Sequence, residues 1–377
     1  MKITGVHTHI LQAALSQPLA YSRAWYDSRT AMLVEIETDQ GVVGWGECYG
    51  PARMTAAVVG SVAPWLIGED PLRTDCLWQM IYARLRDHGQ KGVVIQGLSG
   101  IDIALWDIKG KHFGVPVHQL LGGAQRTEVA AYATGLYRRK SDDPTQYLAE
   151  QAAAYVAEGF SAVKLNVGFG LGEDAAVTRA VREAIGPNVA LMVDANHAYD
   201  SVAAIRFGRM IEPYDIGWFE EPVPPEDLAG YRAVKTALSI PIAGGECEFT
   251  RFGFRDLFVS RALDIAQPDT CAAGGLSECK KIADMAEALG IRYNPHVWGT
   301  GIAIAASLHL IAVLPPHTPL SLNTAGPFLE FDRTEHPIRQ AILTDSIEHA
   351  RGIVRVPDRP GLGIEIDRKA LARFDAQ

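Results

Sequence analysis

Apolar and polar positions along this chain follow two different rhythms. Between about residues 126 and 325, short apolar runs end in single polar residues at a steady beat. Lys164 and Asn166 close AVKLNVG, Asp194 closes the run in ALMVDANH, Glu220 that in IGWFEEP, Glu246 that in PIAGGE, Asp269 that in LDIAQPD and His296 that in YNPHVWG. Each step from Lys164 through Asp194, Glu220, Glu246 and Asp269 to His296 spans 23 to 30 residues. Such a step holds one strand, one helix and two short loops. Between the runs, in GEDAAVTRAVREAIG, SVAAIRFGRMIE, PEDLAGYRAVKTAL, RFGFRDLFVSR, GLSECKKIADMAEALG and GTGIAIAASLHLIAVLP, apolar residues recur every three or four positions. That spacing predicts helices packed on one side. VAAYATG predicts the first strand, PTQYLAEQAAAYVAEGF the first helix and PLSLNTA the last strand. The expectation is an α/β chain with a (β/α)7β TIM-like barrel, whose C-terminal strand ends form one mouth.

Residues 1–125 do not keep this beat. ITGVHTHIL, AMLVEIETD and GVVGWGECYG alternate like strands, and Asp39-Gln40-Gly41 predicts a hairpin turn between the last two. SQPLAYSRAWYDSRT reads as a polar and aromatic loop of about fifteen residues, long enough to act as a lid. TAAVVGSVAPWLIG, DCLWQMIYARLRD and GLSGIDIALWDIKGKHFG predict helices. This is an α+β capping domain over residues 1–125, followed by a barrel over 126–325. In the remaining segment, 326–377, the strand-like pieces GIVRVPD and GLGIEID are expected to fold back onto the first domain.

Composition narrows the partners. The net charge of −9 comes with no block of lysine or arginine, which argues against nucleic acid or an anionic membrane surface. No apolar run reaches the ~18 residues a bilayer span needs, and MKITGVHTHIL lacks a signal-peptide core. The five cysteines form no CxxC pair, as expected of reduced thiols in the cytoplasm. A barrel of this size is expected to form a homo-oligomer around a small-molecule substrate.

The polar strand ends carry the chemistry. Asp194, Glu220 and Glu246 end successive strands, and three converging carboxylates repel one another unless a cation sits between them. A hard divalent ion, Mg²⁺, suits such oxygen ligands. The alternative is that each acid caps the following helix. Lys164 and Asn166 are two apart on one strand and are expected to share the interior face. There Lys164 would neutralise a substrate carboxylate or, alternatively, form a structural ion pair. Asp269 and His296 lie one strand apart, where an aspartate on one imidazole nitrogen leaves the other free as a base. The alternative for His296 is a satisfied core residue. Asn196, His197, Asn323 and Glu330 near strand ends either touch substrate or cap helices. Trp25, Tyr26, Arg29 and Tyr49 in the first domain either cover the mouth or pack. Gly299-Thr300-Gly301 opens a helix and is more often a turn than an anion site.

With these residues assembled, the chain resembles the enolase superfamily, in its mandelate racemase-like branch, over essentially its whole length. GIDIALWDIKGKHFG followed by LLGG resembles the exit from that branch's capping domain. AVKLNVGFG, VDANHAY, FEEP, GGE, QPD and HVWGTG resemble its successive strand ends. ECYGPAR, FDRTEHPIRQA and PGLGIEI are similar to members that act on aldaric acids and their lactones, among the sugar-acid dehydratases and lactone cycloisomerases. The resemblance implies Mg²⁺ on Asp194, Glu220 and Glu246. It implies an Asp269–His296 dyad that handles the proton α to a carboxylate, and substrate selection by the loops near Tyr26 and Tyr49; Asn166, Asn196 and Asn323 are expected, from their places at strand ends, as further substrate contacts. One departure matters. The branch commonly has Lys-x-Lys where this chain has Lys164 and Asn166, and an amide cannot take a proton at neutral pH. Racemisation needs a base on each face of the α-carbon, so a one-base β-elimination is the expected reaction. A metal-dependent hydrolase or aldolase barrel, and a binding homologue without catalysis, are the alternatives.

Overall fold

A computed structural model describes residues 1–141, 143–316 and 327–376. The chain opens with an antiparallel sheet of β1 (Ile3–Ala20), β2 (Trp25–Thr38) and β3 (Val43–Cys48). The turn predicted at Asp39-Gln40-Gly41 joins β2 to β3, with Gly41 at φ +74° and its N–H donating to the Thr38 carbonyl at 3.1 Å. The expected fifteen-residue loop before β2 is instead a continuation of the ribbon. Leu19 pairs with Tyr26 and Ala20 with Trp25, so the turn itself spans only 21–24. Polar and aromatic residues alternate there with little net burial, so the stretch carries no hydrophobic signature of a strand. Backbone pairing carries it, and two bonds between Ala20 and Arg138 (2.9 and 3.1 Å) pin the tip to the second half of the chain.

Three helices, α1 (Ala52–Leu66), α2 (Thr74–Leu85) and α3 (Val93–Phe113), complete this unit. α3 lies close against β3 because Gly44 and Gly46 face it. A Cβ at either would overlap a carbonyl of Ala104 or Gly100.

Parallel strands follow in chain order: β4 (Glu128–Leu136), β5 (Ala162–Asn166), β6 (Ala190–Asp194), β7 (Ile216–Glu220), β8 (Ile242–Gly244), β9 (Ile265–Ala266) and β10 (Arg292–Tyr293). Helices alternate with them, several started by dedicated caps. Asp143, Asp200 and Asp227 each accept an N–H from the first turn of the helix that follows. β11 (Leu329–Asp332) lies parallel to β4 on the side away from β5. It falls past residue 325, where the second segment was expected to end, while PLSLNTA lies outside the described residues. The fold is thus mixed α/β with a parallel sheet. At the two ends of that sheet Phe328 N–H donates to Asn294 Oδ1 at 2.8 Å. Tyr132, Met192, Trp218, Ile265 and Phe328, from strands all along the sheet, pack into one inner cluster. Among the described residues no helix is long and apolar enough to cross a membrane.

The tail divides its contacts. Of β12 (His349–Ala350) and β13 (Ile353–Arg355), the second runs antiparallel to the start of β4, so GIVRVPD joins the parallel sheet rather than the first domain. Contact with the first domain starts at Asp332, Thr334 and Glu335, which meet Arg29, and resumes at Gly361, which bridges to Pro116. It ends with Ala376 N–H on the Ile10 carbonyl at 2.8 Å. Between them Arg368 grips Glu35 on β2, and His9 Nε2 lies 2.9 Å from the same buried carboxylate. Burial opposes ionisation of Glu35, but these partners hold it down at about 2. A depressed carboxylate stabilises the fold above its unfolded pKa, and that stability is lost as pH falls toward 2. Glu35→Gln should therefore flatten the stability curve between pH 5 and 2.5, with a difference of about 1–2 kcal/mol at the upper end, since the Arg368 partner is exposed and screened. A curve parallel to the wild type would refute this.

Candidate active site

The strand ends converge on a cavity of about 410 Å³, roofed by the β1–β2 ribbon. Asp194, Glu220 and Glu246 each bring a carboxylate oxygen within 4.8 Å of the others. None of the three caps a helix. Asp200 and Asp227 do that work after β6 and β7, and the helix after Glu246 has no side-chain cap. Glu220 is fully buried and fixed on both oxygens, by Lys164 at 2.6 Å on one and by Trp218 Nε1 (2.8 Å) and Gln267 Nε2 (2.7 Å) on the other. Asp194 accepts the Asn196 N–H at 2.8 Å and its amide at 3.2 Å. Burial and then its neighbour Glu220 push the Asp194 carboxyl well above its usual range, and burial and Glu221 do the same to Glu246.

Lys164 reaches Glu220 at 2.6 Å, Glu330 at 2.9 Å and Asp194 at 3.6 Å. Burial alone would lower its ammonium, but Glu220 and Glu330 hold it well above the ordinary lysine value. Across the cavity His296 Nδ1 lies 2.6 Å from Asp269 Oδ2, and its Nε2 lies 3.6 Å from Glu246. Asp269 is itself fixed by the Cys271 N–H at 2.6 Å. Burial opposes a proton on His296, yet Glu246 and the Asp269 bond push it up to about 10. The Tyr49 ring lies 5.3 Å from the imidazole.

Tyr26, Tyr49 and Asn196 line the cavity with Lys164, Asp194, Glu246 and His296. Asn166, expected beside Lys164 on the same wall, does not line it. It is buried level with Asp194, next to a space of only about 10 Å³ bounded by Arg138, Phe169 and Asp174, and its amide atoms have no partner among the described residues. Asn323 lies outside the described residues. A second set, His197, Glu221 and Cys247, also brings ligand atoms within 4.8 Å, with His197 Nδ1 at 2.9 Å from Glu221.

Glu330, expected either to touch substrate or to cap a helix, is buried on β11 and accepts the Val297 N–H at 3.0 Å as well as Lys164. Burial would raise its carboxyl, and Lys164 and His296 bring it down instead. Its signal was the apolar run PFLEFD, interrupted by one acid in the manner of the other strands. Glu47, from β3 of the first domain, is a residue that sequence reasoning missed. It accepts the Thr300 N–H at 2.9 Å, the Thr300 hydroxyl at 2.6 Å and the Ala303 N–H at 3.1 Å, so it caps the helix that follows His296. Burial outweighs these bonds and raises it to about 7. Nothing local in the sequence marks such a contact.

Residues 5–122 match the mandelate racemase / muconate lactonizing enzyme N-terminal domain, and residues 147–370 match the enolase C-terminal domain-like family. The chain belongs to the enolase superfamily, in its mandelate racemase-like branch. It is an enzyme of that superfamily, on the isomerase and lyase side. It is 50% identical over 374 residues to D-galactarolactone cycloisomerase of Agrobacterium fabrum, covering 99% of each chain. It is 37% identical over 336 residues to arabinonate dehydratase of Saccharolobus solfataricus, covering 88% of this chain and 87% of that one. The crystal structure of 3,6-anhydro-D-galactonate cycloisomerase from Zobellia galactanivorans superposes with a TM-score of 0.91 at 41% identity, covering both chains fully. Superfamily neighbours of this kind place a capping domain beside a TIM barrel.

Proposed function

We propose that this enzyme removes the proton α to the carboxylate of a sugar acid or sugar lactone and completes a β-elimination, using His296 as its single base. The observation that carries the reading is the placing of His296, with one nitrogen tied to Asp269 and the other 3.6 Å from a member of the carboxylate trio. A substrate carboxylate drawn to the trio thus has its α-carbon within reach of Nε2.

The donor set fits Mg²⁺. Among the described residues Lys164 is the one lysine or arginine paired with Asp194, Glu220 and Glu330, and no ion pair joins it to Glu246. Such a set of oxygens lacks positive charge, and a divalent ion supplies it. Bound to Asp194, Glu220 and Glu246, Mg²⁺ would offset the acids, including the Glu246 charge on His296, and stabilise negative charge on a substrate carboxylate whose α-proton leaves, as Mg²⁺ does beside a Lys or His base in enolase-superfamily sites. Lys164 binds the same carboxylate and is held in place by Glu220 and Glu330. Asp269 fixes the tautomer that leaves Nε2 to accept the proton. Tyr26, Tyr49 and Asn196 contact the rest of the substrate, and the ribbon above keeps bulk water out.

The same reading closes the parallel sheet into a (β/α)7β barrel. It rests on the bond between Phe328 and Asn294 across the sheet ends and on the shared inner cluster. Capping domain 1–125, barrel 126–325 and returning segment 326–377 remain the proposed division, with β11 as the barrel strand that lies past it. A homo-oligomer is proposed on size, and a cytoplasmic location on five free cysteines.

NMR in D₂O on a panel of sugar acids and their lactones tests the function. Turnover should vanish on chelation, return with Mg²⁺ and wash out the α-hydrogen. A product that keeps its α-hydrogen, or chelator-insensitive turnover, would sink the reading and favour a hydrolase, which needs no such proton transfer.

A further inference from the structure

Just past the carboxylate trio, the same three strand ends carry a second and chemically different set. His197 follows Asp194 by three residues, Glu221 follows Glu220 by one, and Cys247 follows Glu246 by one. Their ligand atoms lie within 4.8 Å of one another. Backbone bonds help to hold them there. The His197 N–H donates to the Glu221 carbonyl at 2.8 Å. From the ribbon above, the Ser22 hydroxyl donates to the Ala195 carbonyl at 2.9 Å, and Arg23 donates to the His197 carbonyl.

This set lacks positive charge. Glu221 is fully buried, and among the described residues no lysine or arginine pairs with it. Lys164 pairs with Asp194, Glu220 and Glu330 instead. The partners of Glu221 are His197, with Nδ1 at 2.9 Å from Oε2, and the Cys247 thiol, which hydrogen-bonds to the carboxylate. Oε1 otherwise has no partner among the described residues. A paired cation offsets the cost of burying a carboxylate, and a neutral imidazole with a thiol offsets it poorly. The donors select the ion. One nitrogen, one sulfur and one oxygen make a borderline-soft set, which takes Zn²⁺ in preference to Mg²⁺. A tetrahedral zinc with nitrogen and oxygen at about 2.0–2.1 Å keeps those two ligands roughly 3.3 Å apart, so the contact between His197 and Glu221 needs only a small opening. His197 and Cys247 line the cavity, whereas Glu221 does not, so an ion held by all three has its open position on the cavity side.

We propose that His197, Glu221 and Cys247 form a second cation site beside the trio, selective for Zn²⁺ and ions of its class and open to the cavity. Binding exchanges the thiol proton for the ion and leaves the imidazole proton on Nε2. One proton is released to water, and nothing is oxidised or reduced. Ion, thiolate and carboxylate then sum to zero, so the buried charge of Glu221 is cancelled rather than reversed. The open position takes a water or a hydroxyl group of a molecule in the cavity. This assignment goes beyond the reaction proposed above and does not depend on it.

The test titrates the full chain with Co²⁺, a spectroscopic stand-in for Zn²⁺, in excess Mg²⁺ so that the harder ion fills the trio. A thiolate-to-cobalt charge-transfer band should appear in the near ultraviolet, beside the intense visible bands of four-coordinate cobalt. Both should saturate at one ion per chain and be abolished by stoichiometric Zn²⁺. Cys247→Ala should remove the charge-transfer band and weaken Zn²⁺ binding by at least about 100-fold, since losing a ligand costs more than losing an outer-shell partner. Azide, which is small enough to enter the cavity, should shift the visible bands by taking the open position, and unshifted bands would overturn the opening to the cavity. The absence of a sulfur band overturns the site. So does a band that survives in Cys247→Ala, or bound Zn²⁺ that excess Mg²⁺ displaces, because the ion then sits on another thiol or on the trio. If Cys247→Ala does not fold, His197→Gln decides by the same titration, with weakened cobalt binding expected and wild-type binding overturning.

Discussion

His296→Asn should lower turnover by about 10⁴-fold and abolish exchange of the substrate α-proton with D₂O. The amide keeps roughly the ring's size at its inner edge, and Asp269 keeps the Cys271 N–H at 2.6 Å. The fold should therefore survive, with a melting temperature within a few degrees of the wild type. What is lost is an imidazole that has one nitrogen fixed by a buried carboxylate and the other 3.6 Å from Glu246. The comparison to make is single-turnover kinetics beside NMR exchange on the same sample. Near wild-type turnover with continuing exchange would assign the base elsewhere.

Lys164→Met should be the most damaging single change to both activity and stability. The ammonium is buried against Glu220, Glu330 and Asp194. Methionine fills much of its volume but leaves these buried acids without their cation. Stranding a buried charge costs about 3–5 kcal/mol, and loss of the charge that meets the substrate carboxylate should cost ~10³-fold or more in kcat/KM. Mg²⁺ should recover part of the stability and little of the activity. Thermal melts with and without Mg²⁺, set beside steady-state kinetics, check both. A stable, active Lys164→Met would mean that Glu220 and Glu330 are satisfied by other groups.

What was legible in the sequence was whatever repeats. Lys164, Asp194, Glu220, Glu246, Asp269 and His296 each interrupt an apolar run at one beat, and a parallel sheet turns that beat into neighbours: Lys164, Asp194, Glu246 and His296 line one cavity, with Glu220 bonded to Lys164 and Asp269 to His296. What was hidden depended on contacts with no local pattern. The ribbon over residues 13–30 is held by pairing between β1 and β2 rather than by a buried face, so its alternation of polar and aromatic residues read as a loop. Asn166 shares a strand with Lys164 and stands level with Asp194, yet it borders a separate space of about 10 Å³, and a strand's two-residue period does not show which space a residue borders. Arg29 looked like one of several loop residues until Asp332, Thr334 and Glu335, some 300 positions away, were seen to orient it. Glu330 read from its strand-end position as a substrate contact or a cap, and only the pairing of Leu329–Asp332 with β4 sets it against Lys164.

Glu47 ties the helix after His296 to a strand made 253 residues earlier. During synthesis that acid emerges from the ribosome long before Thr300 exists to meet it, and the chain must hold an open socket until its far end arrives. Mutations that merely loosen the seating of one domain on the other will therefore look, in an assay, like injuries to the chemistry itself.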